Sequence, residues 1–204
     1  MSGENLTPIT RKEMFLAKAS GQDVKTPEPI TREEMFLSNI GSNGGSSFPV
    51  KEFFEGTCKE LTLTDVTTLR GYSIYGISSI ERISLQNTEK IATYAIYNCS
   101  SLTEVNLFEG LITMDGNSIA NCTQIQSIIF PSTLQSIGWN AMSGCSGLKT
   151  VTFLGKPTSI GSTFNSTVFP STVETINVPW SEGEVGGAPW GASSATINYN
   201  YKGD

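Results

Sequence analysis

Apolar residues recur through most of the chain in the pattern L-x-x-h-x-h, where h is apolar and x is usually polar. The pattern returns at a nearly constant spacing from residue 58 to residue 201. Its two most regular columns are Leu61, Ile83, Val105, Ile128, Val151, Ile176 and Ile197, and Leu63, Leu85, Leu107, Phe130, Phe153, Val178 and Tyr199. Alternation over the last positions predicts a short strand with one buried face. We therefore expect a mainly β solenoid of six or seven coils, each giving one short parallel strand to a single sheet.

A different repeat stands near the N-terminus, where PITRKEMFLAKASG (residues 8–21) returns as PITREEMFLSNIG (residues 29–41). Thr10 and Glu13 form a capping box, and the second copy repeats it, so each copy predicts a short α-helix. The apolar positions are Ile9, Met14, Phe15, Leu16, Ile30, Met35, Phe36 and Leu37. Helices this short are marginal in water. They either pack on each other as a hairpin or, as we favour, dock onto another protein as an attachment arm.

Composition divides the chain into three parts. GSNGGSS at residues 41–47 is typical of a flexible linker. We expect an attachment arm at residues 1–41, a linker at 42–49 and the solenoid at 50–204, with a C-terminal cap from about residue 176.

Several function classes are excluded by residue content. The chain has no histidine, which removes His-dependent nucleophilic triads and His-ligated metals. Residues 110–173 hold only three charged residues, Asp115, Lys149 and Lys156, so no pair of carboxylates converges there and glycoside hydrolysis has no obvious site in this stretch. The formal net charge of −6 argues against nucleic acid binding. No apolar run is long enough to span a membrane. We expect neither an enzyme nor a bound cofactor or metal.

Three of the four cysteines share one column. Cys99, Cys122 and Cys145 are evenly spaced, one coil apart each time, and Ile77 fills the column one coil earlier. A position that accepts Ile or Cys is typical of a buried apolar slot. We expect reduced, buried thiols in the core, with a disulfide or a metal site as the less favoured alternatives.

Polar positions between the apolar columns should face solvent on the strands. They make a hydroxyl- and amide-rich surface that suits weak polar contacts, although a face that only keeps the chain soluble is an equal alternative. Two tryptophans flank a glycine-rich loop near the C-terminus and either stack on a ligand or, as we favour, seal the last coil. The candidate ligand face consists of Asn106, Ile129, Thr152, Asn177, Asn198, Trp180 and Trp190.

The coil sequence resembles the BspA-type leucine-rich repeat. IGWNAMSGCSGL (residues 137–148) is close to its consensus, IATYAIYNCSSL (91–102) matches closely, and residues 114–125 match more loosely. This resemblance implies a leucine-rich-repeat solenoid and a surface adhesin or binding protein, with no catalytic position. The N-terminal arm resembles segments of phage structural proteins, head fibres and tail-associated proteins among them. Residues 176–201 are similar to the closing segment of repeat proteins in phages.

Together these features predict a non-enzymatic phage virion component. Its arm would anchor it to a capsid or tail protein, and its solenoid would be displayed for decoration, adhesion or host binding. We expect it in the virion, with a bacterial surface glycan or protein as a possible partner of the solenoid, and with a homo-oligomer as one possible state. The alternative is a bacterial cell-surface adhesin of the same repeat class.

Overall fold

The computed structural model describes residues 57–64, 66–161 and 167–203. The two predicted helices and the linker lie outside these residues. The described strands are β1 (Glu60–Leu63), β2 (Thr68–Leu69), β3 (Ile74–Tyr75), β4 (Arg82–Leu85), β5 (Lys90–Ile91), β6 (Ile96–Tyr97), β7 (Glu104–Leu107), β8 (Thr113–Met114), β9 (Ile119–Ala120), β10 (Ser127–Phe130), β11 (Ser136–Ile137), β12 (Thr150–Phe153), β13 (Ser159–Ile160), β14 (Thr175–Asn177) and β15 (Thr196–Asn198).

The predicted L-x-x-h-x-h strands form one side of the solenoid, which we call face A (β1, β4, β7, β10, β12, β14 and β15). They pair in parallel and in the predicted register: Ile83 lies opposite Val105, and Ile128 lies opposite Val151. Alternate side chains point inward, so Ile83 and Val151 are fully buried. The parallel β-solenoid is therefore confirmed.

The prediction of a single sheet is wrong. Face A divides into a three-stranded sheet, β1-β4-β7, and a four-stranded sheet, β10-β12-β14-β15. The break coincides with a change of side-chain size in one buried column, from Leu85 and Leu107 to Phe130 and Phe153. Strands on the two sides of the break therefore project side chains of different length into the core.

One strand per coil is also too few. Five coils each add a two-residue strand on a second side, face B (β2, β5, β8, β11 and β13). The first three of them add another on a third side, face C (β3, β6 and β9). A two-residue strand is too short to show a period of two in the sequence, which is why the alternation pattern did not predict it.

The core runs along the inside of the coils. Cys99, Cys122 and Cys145 are fully buried in it, and none of the cysteines in the described residues forms a disulfide. At the C-terminal end, Phe153, Phe169, Trp180 and Trp190 make ring contacts with one another, as in the pair Trp180–Trp190 at 6.4 Å. No helix among the described residues could cross a membrane.

Candidate binding surfaces

The predicted polar stripe of face A is a ladder of side chains that bond to one another. Asn106 Nδ2 donates to Ser84 Oγ at 3.3 Å, Asn177 Nδ2 donates to Thr152 Oγ1 at 3.1 Å, and Asn198 Nδ2 donates to Asn177 Oδ1 at 2.8 Å. Ile129, 54% exposed, lies at the break between the two runs. Because these amides already have partners within the stripe, fewer of their donors remain for a ligand.

Charges on face A are paired as well. Arg82 bridges Glu60 and Glu104 across three strands, with Arg82 Nε 2.7 Å from Glu104 Oε2. Lys149 pairs with Glu174 at 2.7 Å. These side chains are about half exposed, so each pair adds little stability. The opposite charges cancel locally and leave no strong field of one sign.

The two tryptophans do not lie on this face. Trp180 is 4% exposed and Trp190 is 2% exposed. The Trp190 indole donates to Gly186 O at 2.8 Å, which satisfies its only polar group. Side chains this deeply buried cannot stack on a ligand, so Trp180 and Trp190 are removed from the candidate surface.

The cysteine column has no feature of a reactive site. Cys122 Sγ and Cys145 Sγ approach the carbonyl oxygens of Ala120 and Ile119, each at 3.5 Å. Burial raises the pKa of the Cys145 thiol to about 11. A hydrogen bond with Cys99, together with burial, raises the pKa of Cys122 as well. Such thiols stay protonated and inert at neutral pH. Within the described residues, no group of histidine, cysteine or acidic side chains is arranged to hold a metal ion.

Face C carries a surface that the sequence analysis missed. We call it the tyrosine quartet: Tyr72, Tyr75, Tyr94 and Tyr97. Tyr72 stacks on Tyr94 with ring centroids 5.4 Å apart, and Tyr75 stacks on Tyr97 at 5.6 Å with the planes 4° from parallel. Between the two stacks the rings meet edge to face. The four rings therefore form two rungs, one on each of two consecutive coils.

Consecutive coils position the quartet through the backbone. Tyr72 N donates to Tyr94 O at 2.8 Å, and Tyr94 N donates to Asn117 O at 3.0 Å. Tyr75 and Tyr97 are paired residues of β3 and β6. The signal in the sequence is a Y-x-I-Y motif that returns one coil later, in GYSIYG and then TYAIYN. The isoleucine of the motif lies in the core. The tyrosines do not stand out in the sequence because the motif falls within the repeat consensus.

Two of the four tyrosines have an unusual backbone conformation. Tyr72 and Tyr94 have φ values of 59° and 57°, in the left-handed region. Asn117 and Asn140 hold the same position in the next two coils, each with φ of 53°. Asparagine tolerates this region far better than a bulky side chain does. The backbone of each of these coils turns here, and only the first two place a ring at the turn.

The segments that carry face C hold no charged side chain, and the nearest in sequence is Arg70, two residues before Tyr72. Residues 71–80, 91–103 and 116–148 contain no acidic or basic side chain. Exposed Asn98 and half-buried Asn121 border the rings, and Asn121 Nδ2 donates to the Tyr97 hydroxyl at 3.0 Å. Trp139, 51% exposed, lies two coils beyond Tyr94. The strands of face C are thus aromatic and uncharged, whereas face A carries several ion pairs and face B carries the pair Lys90–Asp115.

A groove of about 450 Å³ lies beside face B, between Asn87, Glu89, Glu109, Ile112 and Gln135. Glu109 is fixed there, because its carboxylate accepts from Ser132 N at 2.9 Å, from Ser132 Oγ at 2.9 Å and from Thr133 N at 3.2 Å. These hydrogen bonds, that of the Ser132 backbone first, lower the pKa of Glu109. The carboxylate therefore staples two coils together and is not available as an acid or a base.

The proposed attachment residues lie outside the described part of the chain, so their role stays a prediction. These are Ile9, Met14, Phe15, Leu16, Ile30, Met35, Phe36 and Leu37.

Comparison with known proteins gives a family match. A model of the "BspA type Leucine rich repeat region" matches residues 47–168 in six copies, which is more than half of the chain. No curated protein sequence gives a significant match.

Solved structures with a similar fold come from several bacteria. A leucine-rich repeat protein of T. pallidum aligns with a TM-score of 0.54 at 23% identity, over 69% of this chain and 69% of its own. A leucine-rich repeat protein of Bacteroides ovatus aligns with a TM-score of 0.52 at 20% identity, over 70% of this chain and 40% of its own. A leucine-rich cell surface protein of Faecalibacterium prausnitzii gives a TM-score of 0.47 at 17% identity, over 72% of this chain and 33% of its own. This chain therefore spans about a third of the Faecalibacterium protein and two fifths of the Bacteroides protein.

Proposed function

The chain belongs to the BspA-type leucine-rich repeat family, and from this premise we propose that it is a non-enzymatic binding protein of the bacterial cell surface. Its solenoid acts as an adhesin that offers an outer face to a partner. Membership of a family whose members resemble surface adhesins supports a location on the cell surface better than a location in a virion. The chemistry of the described residues agrees with a binding role, since the carboxylates of Glu104, Glu174 and Glu109 are held in ion pairs or hydrogen bonds at separate places on the solenoid.

The tyrosine quartet is the observation that carries the proposal. Tyr72 is 52% exposed and Tyr75 is 45% exposed, although the inner side of the same coils buries Ile74 and Ile96 completely. Aromatic side chains are enriched where proteins bind partners, because a ring offers a large contact area and loses little entropy on ordering. Four of them in contact on one neutral face are typical of a recognition surface.

Antibody raised against the solenoid tests the setting. Intact cells that carry the gene should bind the antibody, and brief protease treatment of those cells should remove the signal while a cytoplasmic marker survives. The same antibody is applied to phage particles purified from an induced culture. Labelled cells and unlabelled particles support the adhesin, whereas signal confined to the particles overturns it.

A second candidate, a phage virion component with its solenoid displayed as a head fibre or tail-associated adhesin, is favoured by one observation. The arm repeats an apolar, capped motif at residues 8–21 and 29–41. Such a duplicate would give bivalent attachment to a capsid or tail protein. No comparison supports this reading, and it depends wholly on residues outside those described.

The arm can be tested directly. Changing Phe15 and Phe36 together to Ala should release the chain from purified particles, and either change alone should release part of it. A chain that begins at Phe48 should keep the melting temperature of the solenoid and be absent from particles. Normal incorporation of that shorter chain would show that the arm is no anchor.

A further inference from the structure

We infer that the tyrosine quartet is a binding site for a neutral glycan, with one pyranose ring held at each of its two rungs. This inference rests on the proposed binding function and adds the site and the chemical class of its ligand. Four properties of the quartet support it, namely its dispensability for the fold, its backbone conformation, its neutrality and its repetition.

Neither the core nor the register of the coils requires these four rings. In the third coil, Asn117 stands where the first two coils have Tyr72 and Tyr94, and Ala120 stands where they have Tyr75 and Tyr97. The third coil still pairs with the second through Ile96 and Ile119. The tyrosines are therefore additions to a coil that forms without them.

Tyr72 and Tyr94 stand where the backbone conformation is unfavourable for tyrosine. A left-handed φ is unfavourable for tyrosine and is well tolerated by asparagine, which the chain itself uses at this position in later coils. Backbone conformations of this kind persist where function holds them in place. Retaining a ring at both positions, on the surface, points to contact with something outside the chain.

Neutrality selects the class of ligand. Anionic polymers such as nucleic acids and sulfated glycans are recognised by several lysine and arginine side chains together. Residues 71–80, 91–103 and 116–148 contain neither, and Arg70, two residues before Tyr72, is a single basic side chain next to them in sequence. A pyranose presents an apolar C–H face and a rim of hydroxyl groups. The ring edges, and the outer faces that the stacking leaves open, receive the first, and phenol and carboxamide groups receive the second.

A specific polar contact is already prepared at Tyr97. Its hydroxyl oxygen accepts a hydrogen bond from Asn121 Nδ2 at 3.0 Å. The phenol proton is therefore directed away from Asn121 and can be donated to a ligand oxygen. Asn98 is exposed beside the same ring and offers both a donor and an acceptor.

Repetition favours a polymer over a folded protein partner. The two rungs are equivalent, one coil apart, with stacked centroids at 5.4 and 5.6 Å. A linear glycan repeats its sugar ring in the same way, so equal rungs can bind successive rings of one chain. A specific protein interface needs about 800 Å² on each partner and has no reason to present the same contact twice.

The test uses the full chain on an array that holds neutral and charged oligosaccharides, followed by calorimetry with a neutral hexasaccharide of the strongest class. The site variant carries Y72N, Y75A, Y94N and Y97A, each copied from the equivalent position of the third coil. The matched control is Phe108→Ala, which removes a 41% exposed aromatic ring outside the quartet, directly after β7. Both variants must keep the circular dichroism spectrum of the parent.

We expect neutral oligosaccharides to bind, affinity to rise from disaccharide to hexasaccharide, and the site variant to lose about tenfold or more in affinity while the control is unchanged. The inference is overturned if none of the neutral oligosaccharides binds at millimolar concentration. It is also overturned if the site variant binds as tightly as the parent. If the quartet variant instead abolishes adhesion to a protein-coated surface, the ligand is a protein and the proposed adhesin stands. If the displayed parent chain adheres to no surface, the proposed function fails as well.

Discussion

Gly138 approaches Gly116 of the preceding coil so closely that a Cβ atom on Gly138 would lie 2.3 Å from the Gly116 nitrogen. The contact is fixed by the ladder, since Gly138 N donates to Met114 O at 2.7 Å. Adding a methyl group would therefore push two backbones apart rather than move a side chain. We expect Gly138→Ala to lower the free energy of unfolding by about 3 kcal/mol or more, measured by chemical denaturation.

The chain provides a control for this substitution. At Gly186 an added Cβ would meet nothing within 4 Å, so Gly186→Ala should leave the free energy of unfolding unchanged within about 0.5 kcal/mol. Equal effects of the two substitutions would show that close packing of coils is not what requires glycine at 138.

Ser118 is fully buried, and its hydroxyl has no hydrogen-bond partner among the residues described. Ala95 and Ala141 occupy the same column in the adjacent coils. Removing an unsatisfied hydroxyl removes its desolvation cost, so Ser118→Ala should raise the free energy of unfolding by about 1 kcal/mol. The measurement is a higher denaturant midpoint at the same slope.

Ser73, one column-mate of Ser118, should respond in the opposite direction. Its hydroxyl donates to Arg70 O at 2.7 Å, so Ser73→Ala should cost about 1 kcal/mol. A loss of stability in Ser118→Ala would mean that its hydroxyl has a partner, and the prediction would be wrong.

Tyr72 allows the backbone argument to be tested apart from binding. In Tyr72→Asn, relief of the left-handed backbone, which costs about 1–3 kcal/mol for an unsuited residue, should offset the loss of ring stacking, about 0.5–1.5 kcal/mol. The free energy of unfolding should stay within about 1 kcal/mol of the parent. Tyr72→Val loses the stacking and keeps an unsuited backbone, so it should be clearly less stable than Tyr72→Asn. The reverse order in thermal melts would contradict the argument.

Cys145 should make stability depend on alkaline pH. Its pKa is raised from an ordinary value of 9.0 to about 11 by burial, so the folded chain favours the protonated thiol. The resulting stability is complete below pH 9 and is lost as pH rises towards 11, by about 2–3 kcal/mol. Cys145→Ala should lack this component, and the gap between the two proteins should narrow over that range. A constant gap in denaturation midpoints would contradict the assignment.

Glu109 should make stability depend on acid pH. The hydrogen bonds from Ser132 and Thr133 lower its pKa below the ordinary value of 4.5. The stability it contributes is therefore complete above that value and is lost as pH falls through the lowered pKa. Glu109→Ala should cost about 1 kcal/mol at pH 7, since solvent exposure weakens the bonds, and less at pH 3. An equal cost at both pH values, by urea denaturation, would show that the carboxylate does not staple the coils.

The register of the solenoid was predictable because it depends on one repeated physical requirement. Each coil must bury the same apolar positions against its neighbours, so residues such as Ile83 and Val105 could be placed opposite each other from spacing alone. The reduced, buried cysteines followed from the same logic, since Ile77 fills their column in the first coil.

The recognition surface was not predictable in this way. Tyr72 and Tyr75 lie on a two-residue strand and its preceding turn, where no alternation marks which side faces outward. The left-handed backbone at Tyr72 comes from the coil and not from any preference of tyrosine. The burial of the two tryptophans agrees with the favoured prediction that they seal the last coil and rules out the alternative that they stack on a ligand. A glycine-rich setting is typical of an exposed loop, but Trp190 folds back under it and is buried.

Because Tyr94 and Tyr97 repeat Tyr72 and Tyr75 at a distance of one coil, duplicating one repeat unit of the gene would add a third rung in line with the first two. The insertion would lengthen the solenoid by about 5 Å, the spacing of neighbouring strands, and would leave every other coil in place. Recombination between repeats can therefore change the length of the tyrosine surface by one coil at a time, and no pocket has to be remodelled.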